Sequence, residues 1–342
     1  MSRDAGSELQ KTLYSGYVGQ GTRVDEFEQA LAPVVGRSTC VAVNSCTSAI
    51  QLALRLSGVG FGDEVISTPV TCTATNVPVL AIGGTGVWAD ADLWTGNIDP
   101  ESVKHKITKK TKAVIAVHWG GTPCDVDALE TICKDHGLKL IFDCAHALGA
   151  TYNGKPIGYY GDFSCFSFQA IKHVTTGDGG LLVCNDRRDY ERGKLLRWYG
   201  IKRPADLTQD IKDWGYKFHM NDLAATIGLA NLKDFPAVLK KHRDNARFYR
   251  EHGLDGVYDP ESAFWLYTLH TKDPQALSRK LKAKGIASGR VHERNDRYSM
   301  FKSSRTALPG VDDFYKTMLN IPVGWWVTPK DRERIGEVIR CA

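Results

Sequence analysis

Short apolar runs and amphipathic stretches alternate along the first half of the chain. The apolar runs predict strands at 39–43, 64–67, 86–90, 113–117 and 138–142. The stretches with apolar residues at helical spacing predict helices at 24–35, 47–56, 73–82 and 126–136. Strands separated by helices of about ten residues are typical of a largely parallel sheet with covering helices. We therefore predict an α/β fold built on a mostly parallel sheet.

The second half of the chain has a different order of elements. A strand at 181–184 and a helix at 189–196 precede a polar loop, and Asn221 or Asp222 is the predicted N-cap of a helix that runs to 232. The remaining elements are predicted as a long helix at 235–251, a strand at 263–269, a helix at 274–284, a strand at 321–327 and a last helix. This pattern predicts three parts: an arm at 1–22, a large domain at 23–235 and a smaller α+β domain at 236–342.

Composition and charge narrow the class of protein. The 342 residues provide enough chain for a large core, and the 44 basic and 39 acidic residues give a net charge of +5 without a long run of one sign. This balance argues against a dedicated nucleic-acid surface but suits a substrate that carries phosphates. The nine cysteines include no Cys-x-x-Cys pair, so we expect neither a disulfide framework nor a metal site. With no apolar run of membrane-spanning length, we expect a soluble cytoplasmic protein.

A single lysine stands out at the end of one apolar run. The aromatic stretch 165–168 leads to Lys172, and the chain then passes through Gly177-Asp178-Gly179-Gly180 into the next strand. An amine at such a position is either a surface group that caps a turn or a nucleophile whose pKa is lowered in a partly desolvated pocket. The neighbouring motifs favour the nucleophile.

Two other motifs end strands of the same predicted sheet. Asp143 closes one strand, with His146 three residues later, and the polar run 44–48 opens a helix. Ligands bind at the carboxyl ends of parallel strands, and the free N–H groups of a helix N-terminus bind phosphate. A phosphate cradle, an acid and a lysine at one sheet edge are the parts needed to hold pyridoxal phosphate.

The chain resembles the DegT/StrS family of sugar aminotransferases, which have the type I fold of pyridoxal phosphate enzymes, over residues 16–335. The similar motifs are Gly-Tyr-Val-Gly-Gln-Gly at 16–21, Asn-Ser-Cys-Thr-Ser-Ala at 44–49, Gly-Asp-Glu-Val-Ile at 62–66, Asp-Cys-Ala-His at 143–146 and the stretch 167–180. For the residues of these motifs, the resemblance implies that Lys172 forms the Schiff base and shuttles protons, and that Asp143 pairs with the pyridine nitrogen. His146 would lie near the ring and its phenolic oxygen, although a histidine satisfied in the core is the alternative.

The resemblance also implies a phosphate site and a dimer. Ser167 would place a hydroxyl on the phosphate, and Cys46 and Thr47 would donate backbone N–H groups to it. His219 occupies the position from which a neighbouring subunit reaches the phosphate, which implies a homodimer with a shared active site; a plain surface or interface histidine is the alternative. Cys72 departs from the family, because relatives place an aromatic residue there to stack on the cofactor ring.

The substrate side is less defined by the sequence. Arg290, His292, Arg294 and Asn295 lie in a dense polar run that would clamp a diphosphate or a donor carboxylate, or else form a solvated charged loop. Trp325 and Trp326 would stack on a base or sugar, but we expect them to pack in the core.

The implied function is a transaminase reaction dependent on pyridoxal phosphate. An amino group, with glutamate as the expected donor, would move to a keto carbon of a nucleotide-linked deoxysugar, in deoxyaminosugar and polysaccharide biosynthesis. The alternatives are a nucleotide-sugar dehydratase with the same cofactor, an aminocyclitol aminotransferase, and a non-catalytic sensor that binds the cofactor.

Overall fold

The computed structural model describes residues 1–203, 208 and 210–341 of the chain. Its centre is a seven-stranded sheet with the strand order β1-β9-β8-β5-β4-β2-β3. Neighbouring strands are parallel from β8 to β3, whereas β9 runs antiparallel to both β8 and β1. The strands are β1 (Cys40–Val43), β2 (Glu64–Ser67), β3 (Thr85–Trp88), β4 (Thr111–Val117), β5 (Lys139–Asp143), β8 (Phe163–Ser167) and β9 (Gly180–Cys184). The predicted mostly parallel α/β fold is confirmed.

Helices cover both faces of this sheet. They are α2 (Thr22–Val35), α3 (Cys46–Leu56), α4 (Thr73–Ala81), α5 (Pro100–Lys106), α6 (Val126–His136) and α7 (Arg187–Leu196). Strand β1 shows why its apolar run is continuous: Cys40 and Ala42 belong to the core on one face, and Val41 and Val43 to the core on the other. A strand buried on both faces has no polar side to alternate with. A short hairpin, β6 (Thr151–Tyr152) and β7 (Lys155–Pro156), lies outside the sheet.

One long helix, α8 (Asp222–Glu251), connects the large core to a smaller one. The sequence predicted two helices with a break near residue 233, which is wrong, because α8 continues for 30 residues with Pro236 inside it. Asn221 is its N-cap and accepts a hydrogen bond from the N–H of Ala224. The first half of α8 contributes Ala225 and Phe235 to the large core, whereas Ala246 and Tyr249 belong to the smaller one.

The smaller core contains a two-stranded antiparallel sheet, β10 (Tyr267–His270) and β11 (Met318–Ile321), with α9 (Pro274–Ala283), α10 (Pro309–Thr317) and α11 (Pro329–Arg340) nearby in sequence. The strand predicted at 321–327 is therefore wrong, since β11 ends where that prediction began. Trp325 and Trp326 lie after this strand and are 47% and 57% exposed, so the expected core packing is also wrong.

The N-terminal arm contains a helix that its polar composition did not predict. Helix α1 (Ala5–Leu13) packs along α8, and the buried hydroxyls of Thr12 and Thr226 lie 2.9 Å apart. Only Ala5 and Thr12 of this helix are buried, which explains the weak apolar signal. In the described part of the chain, no helix combines the length and apolar content needed to cross a membrane.

Candidate active site

Lys172 lies in the loop between β8 and β9. Its backbone N–H donates to the carbonyl of Gln169, and the loop is closed by hydrogen bonds from the N–H of Phe168 to Gly179 and from the N–H of Thr176 to Phe168. The amine is withdrawn from solvent, and this burial lowers the pKa of Lys172 to about 8, although Asp143 opposes the shift. A neutral, nucleophilic amine is therefore accessible near neutral pH.

Asp143 ends β5 and is 4% exposed. Its Oδ1 accepts from the N–H of Ala145 at 3.0 Å, and its Oδ2 accepts from the hydroxyl of Thr75 at 2.7 Å. Burial raises the pKa of this carboxyl, while these two donors and the ammonium of Lys172 counteract the shift. The carboxylate is thus held in place from two sides and faces a positive charge.

The N-terminus of α3 lies beside the same strands. The Ser45 hydroxyl caps the helix by accepting from the N–H of Ser48, and the N–H groups of Cys46 and Thr47 belong to the first turn, where an α-helix offers no acceptor. A Cβ at Gly180 would lie 2.4 Å from the Ser45 carbonyl carbon, so glycine is needed for this close approach. The geometry is that of an anion-binding helix terminus.

The side chains of Cys46 and Ser167 occupy different surroundings near this terminus. The Cys46 thiol points toward Asp143, with Sγ 3.8 Å from Oδ1. Burial raises the pKa of the Cys46 thiol well above its usual range, so it is a neutral donor to the carboxylate. Ser167 is the last residue of β8, and its hydroxyl accepts from the N–H of Gln169 at 3.4 Å.

Three nearly parallel rings form a wall beside Lys172. The ring of His146 stacks on Trp265 at 3.9 Å and 19°, and lies 5.9 Å and 8° from that of His292. The Lys172 Nζ lies 3.6 Å from the centre of the Trp265 ring, and the indole N–H donates to the carbonyl of Ile171. Sequence reasoning missed Trp265, because an aromatic residue in a strand-like segment carries no sign of the site it faces.

Two nitrogen atoms of this wall are buried and have no hydrogen-bond partner among residues 1–203, 208 and 210–341. They are Nδ1 of His146 and Nε2 of His292. Burial, followed by the nearby Lys172 charge, lowers the pKa of His146 well below its usual range and that of His292 to about 4, so both rings are neutral at pH 7. Because unpaired buried polar atoms are unfavourable, these nitrogens fit a polar ligand that supplies the missing partners.

Most side chains of the polar run 290–295 contact other groups of the protein. The guanidinium of Arg294 binds the Asp296 carboxylate through two hydrogen bonds of 2.7 Å and also contacts Asp312. Arg290 donates to a backbone carbonyl, that of Tyr315. Asn295 is completely buried. Of this run, His292 is the residue that the structure brings into the wall beside Lys172.

His219 lies in a bridge to β1, and its Nδ1 is buried without a hydrogen-bond partner in the described part of the chain. Its ring contacts that of Trp198 edge-on at 4.0 Å. Burial, followed by the charges of Arg203 and Lys217, lowers the pKa of His219 to about 4. The surroundings of this histidine are therefore aromatic and cationic.

Comparison with known proteins identifies the family of this chain. The family model of DegT/DnrJ/EryC1/StrS aminotransferases matches residues 1–340. The chain belongs to this family. AtS13 from Actinomadura melliaura is 43% identical, with a TM-score of 0.96 over 100% of this chain and 96% of that one. The sugar aminotransferase CalS13 from Micromonospora echinospora is 39% identical, with a TM-score of 0.96 over 100% and 98%. The spore coat polysaccharide biosynthesis protein SpsC from Bacillus subtilis is 33% identical over 97% of this chain and 92% of its own length.

The resemblance drawn from the sequence motifs is thus confirmed, and the protein is an aminotransferase whose family and neighbours support action on sugars. DegT/StrS aminotransferases depend on pyridoxal phosphate, so this is the cofactor of the chain. The site fits it: an amine of lowered pKa, a buried carboxylate, a helix N-terminus and unpaired ring nitrogens meet in one region.

Proposed function

We propose that this aminotransferase moves an amino group from glutamate to a keto carbon of a nucleotide-linked deoxysugar. The observation that carries the proposal is the placement of the Lys172 amine: its pKa is about 8, the charge of Asp143 acts on it, and its Nζ lies 3.6 Å from the centre of the Trp265 ring. Bound pyridoxal phosphate supplies an electron sink that makes the transfer of nitrogen between carbon atoms feasible.

The residues of the chain have separate roles in this proposal. Lys172 binds the cofactor aldehyde and later moves a proton between substrate carbon and cofactor, for which an amine with a pKa near the working pH is well suited. Asp143 holds a proton on the ring nitrogen. The N–H groups of Cys46 and Thr47, with the hydroxyl of Ser167, bind the phosphate. These roles rest on the family motifs and on the contacts described above.

The wall of rings provides the stacking surface for the cofactor that Cys72 cannot provide. Cys72 lies at the N-cap of α4, and its side chain has no ring to stack on a cofactor. We assign the contact with the cofactor or sugar plane to His146 and Trp265, the two rings stacked beside Lys172. His292 completes this wall and offers Nε2 to a polar group of the substrate.

The dimer and the nucleotide linkage belong to the same proposal. The Nδ1 of His219 has no hydrogen-bond partner among the residues that the structure describes, and Arg203 and Lys217 are nearby. These surroundings suit an anion supplied by a second copy of the chain, so we place His219 at the phosphate of the partner's cofactor. Arg290 donates to the Tyr315 carbonyl, lies 5.7 Å from the centre of the Tyr315 ring and has no carboxylate partner among the described residues, so it is proposed for the substrate phosphates. Arg294 is bound by two carboxylates and is a weaker candidate.

An absorbance spectrum of the purified protein with pyridoxal phosphate tests the reaction. We expect a visible band that is absent in Lys172→Ala and that glutamate bleaches in the wild type. A nucleotide-linked keto sugar should then restore the band. A band that glutamate does not change would contradict the donor assignment and favour the dehydratase or sensor, and a band retained in Lys172→Ala would contradict the role of Lys172.

A further inference from the structure

The Asp143 carboxylate is connected to a buried chain of hydroxyl groups. Thr75, which is 1% exposed, donates to Asp143 Oδ2 at 2.7 Å. The Thr75 hydroxyl also lies 2.7 Å from that of Thr71, which is 2% exposed. Because Thr75 donates its single hydroxyl proton to the carboxylate, Thr71 is the donor in the second hydrogen bond. The two hydroxyls therefore form a directed chain that ends on Asp143.

This chain is anchored by an asparagine from the C-terminal region. The side-chain amide of Asn295 donates to the carbonyl of Thr71 at 2.8 Å, and its backbone N–H donates to the carbonyl of Pro69 at 3.0 Å. Its Oδ1 accepts from Asn76 Nδ2 at 2.9 Å, and Asn76 also donates to the carbonyl of Thr68. A completely buried and well-paired amide holds the segment 68–71 in one conformation.

The contact with Thr75 matters because the carboxylate is buried. Burial raises the pKa of Asp143, and the hydroxyl of Thr75 is the strongest of the groups that oppose this shift. Without that donor, Asp143 would more readily take up a proton. A neutral carboxyl would stabilise a protonated ring nitrogen poorly.

We propose that Thr75 and Asn295 are positioning residues for amino transfer: Thr75 fixes the Asp143 carboxylate for the cofactor's ring nitrogen, and Asn295 fixes the segment that orients Thr75. The inference rests on the proposed role of Asp143. It also changes the expected role of Asn295, because its amide is used inside the protein and not for binding substrate.

The test compares two ligands that differ at the ring nitrogen. Cofactor-free protein is titrated with pyridoxal phosphate and with its 1-deaza analogue, in which carbon replaces that nitrogen, and the ratio of the two dissociation constants is measured. Thr75→Val keeps the shape of the side chain without the hydroxyl, and should reduce the preference for the natural cofactor by about 10-fold to 100-fold, the range for a hydrogen bond to a charged group. Thr75→Ser should retain the preference.

A matched pair of asparagine variants tests the second link. Asn295→Ala should lower the preference in the same direction but by a smaller factor. Asn245→Ala is the control, because Asn245 is also buried and donates to the carbonyls of Val323 and Gly324, but has no contact with Asp143. It should leave the ratio unchanged.

The outcomes separate this inference from the proposed function. If Thr75→Val weakens both ligands equally, Thr75 has only a structural role and the inference is overturned. If that variant does not fold, equal ratios for Asn295→Ala and Asn245→Ala overturn it instead. A wild-type protein with no preference between the two ligands would instead refute the role of Asp143 itself.

Discussion

Lys172 should make the cofactor-free protein less stable at neutral pH than a variant without the amine. In the folded chain the pKa of Lys172 falls from its ordinary 10.5 to about 8 because of burial. At pH 7 the amine is charged in the folded and in the unfolded protein, and burial makes this charge unfavourable in the folded protein. Lys172→Met removes the charge and keeps an unbranched side chain, so we expect the variant to unfold at a higher denaturant concentration.

The magnitude follows from the difference between the two pKa values, 10.5 and about 8. At about 1.36 kcal/mol per pH unit, the stabilisation at pH 7 is about 3 kcal/mol at most. The contact between the ammonium and the Trp265 ring is lost in the variant and reduces this gain. Between pH 8 and 10.5 the unfolded chain binds more protons than the folded one, so the wild type should gain stability with rising pH and the difference should shrink.

Urea unfolding of both cofactor-free proteins at pH 6, 7, 8, 9 and 10 measures this dependence. Lys139→Met is the control, because a salt bridge of 2.6 Å with Asp162 raises the pKa of Lys139 despite its partial burial. That substitution should not increase the free energy of unfolding at pH 7. A difference between wild type and Lys172→Met that is constant with pH, or a variant that is less stable at pH 7, would refute the reasoning.

Three further predictions concern reactivity, assembly and the core. Stopped-flow absorbance measures the rate at which Lys172 reacts with the cofactor aldehyde, and this rate should rise with pH through a midpoint near 8. Asp143→Asn should move that midpoint to lower pH, because it removes the charge that stabilises the ammonium. Lys172→Ala and His219→Ala should each lose activity, and mixing them should restore part of it if the site is shared between subunits. Arg197→Met should lower the free energy of unfolding, measured in urea, by about 3–5 kcal/mol, because Glu28 would remain buried without its partner; an unchanged value would contradict this.

The sequence predicted the parts of the site that depend on local order. Strand ends and helix starts are set by short stretches, so Asp143 at the end of β5 and the polar run before α3 were visible as motifs. Lys172 was recognisable because it follows an aromatic strand and precedes a glycine-rich turn. Once the parallel order of strands is given, these elements meet at one edge without further information.

The parts that sequence reasoning missed depend on contacts between distant residues. Trp265 meets Lys172 across 93 positions of the chain, and Thr71 meets Asn295 across 224. A short sequence pattern does not predict a contact between residues so far apart in the chain. The continuous α8 is a similar case, since the packing of Phe235 and Ala246 against two different cores holds a helix that Pro236 alone would interrupt.

The groups around Lys172 share one electrostatic property. Burial lowers the pKa of the lysine, lowers those of His146 and His292, and raises that of Asp143. Each group is therefore shifted toward its neutral form, and the buried His146 Nδ1 and His292 Nε2 have no hydrogen-bond partner within the described structure. A fold selected for stability alone would pair or expose such groups. Their collection in one region is better explained by the binding of pyridoxal phosphate, because in our proposal its aldehyde reacts with Lys172 and its basic ring nitrogen faces Asp143.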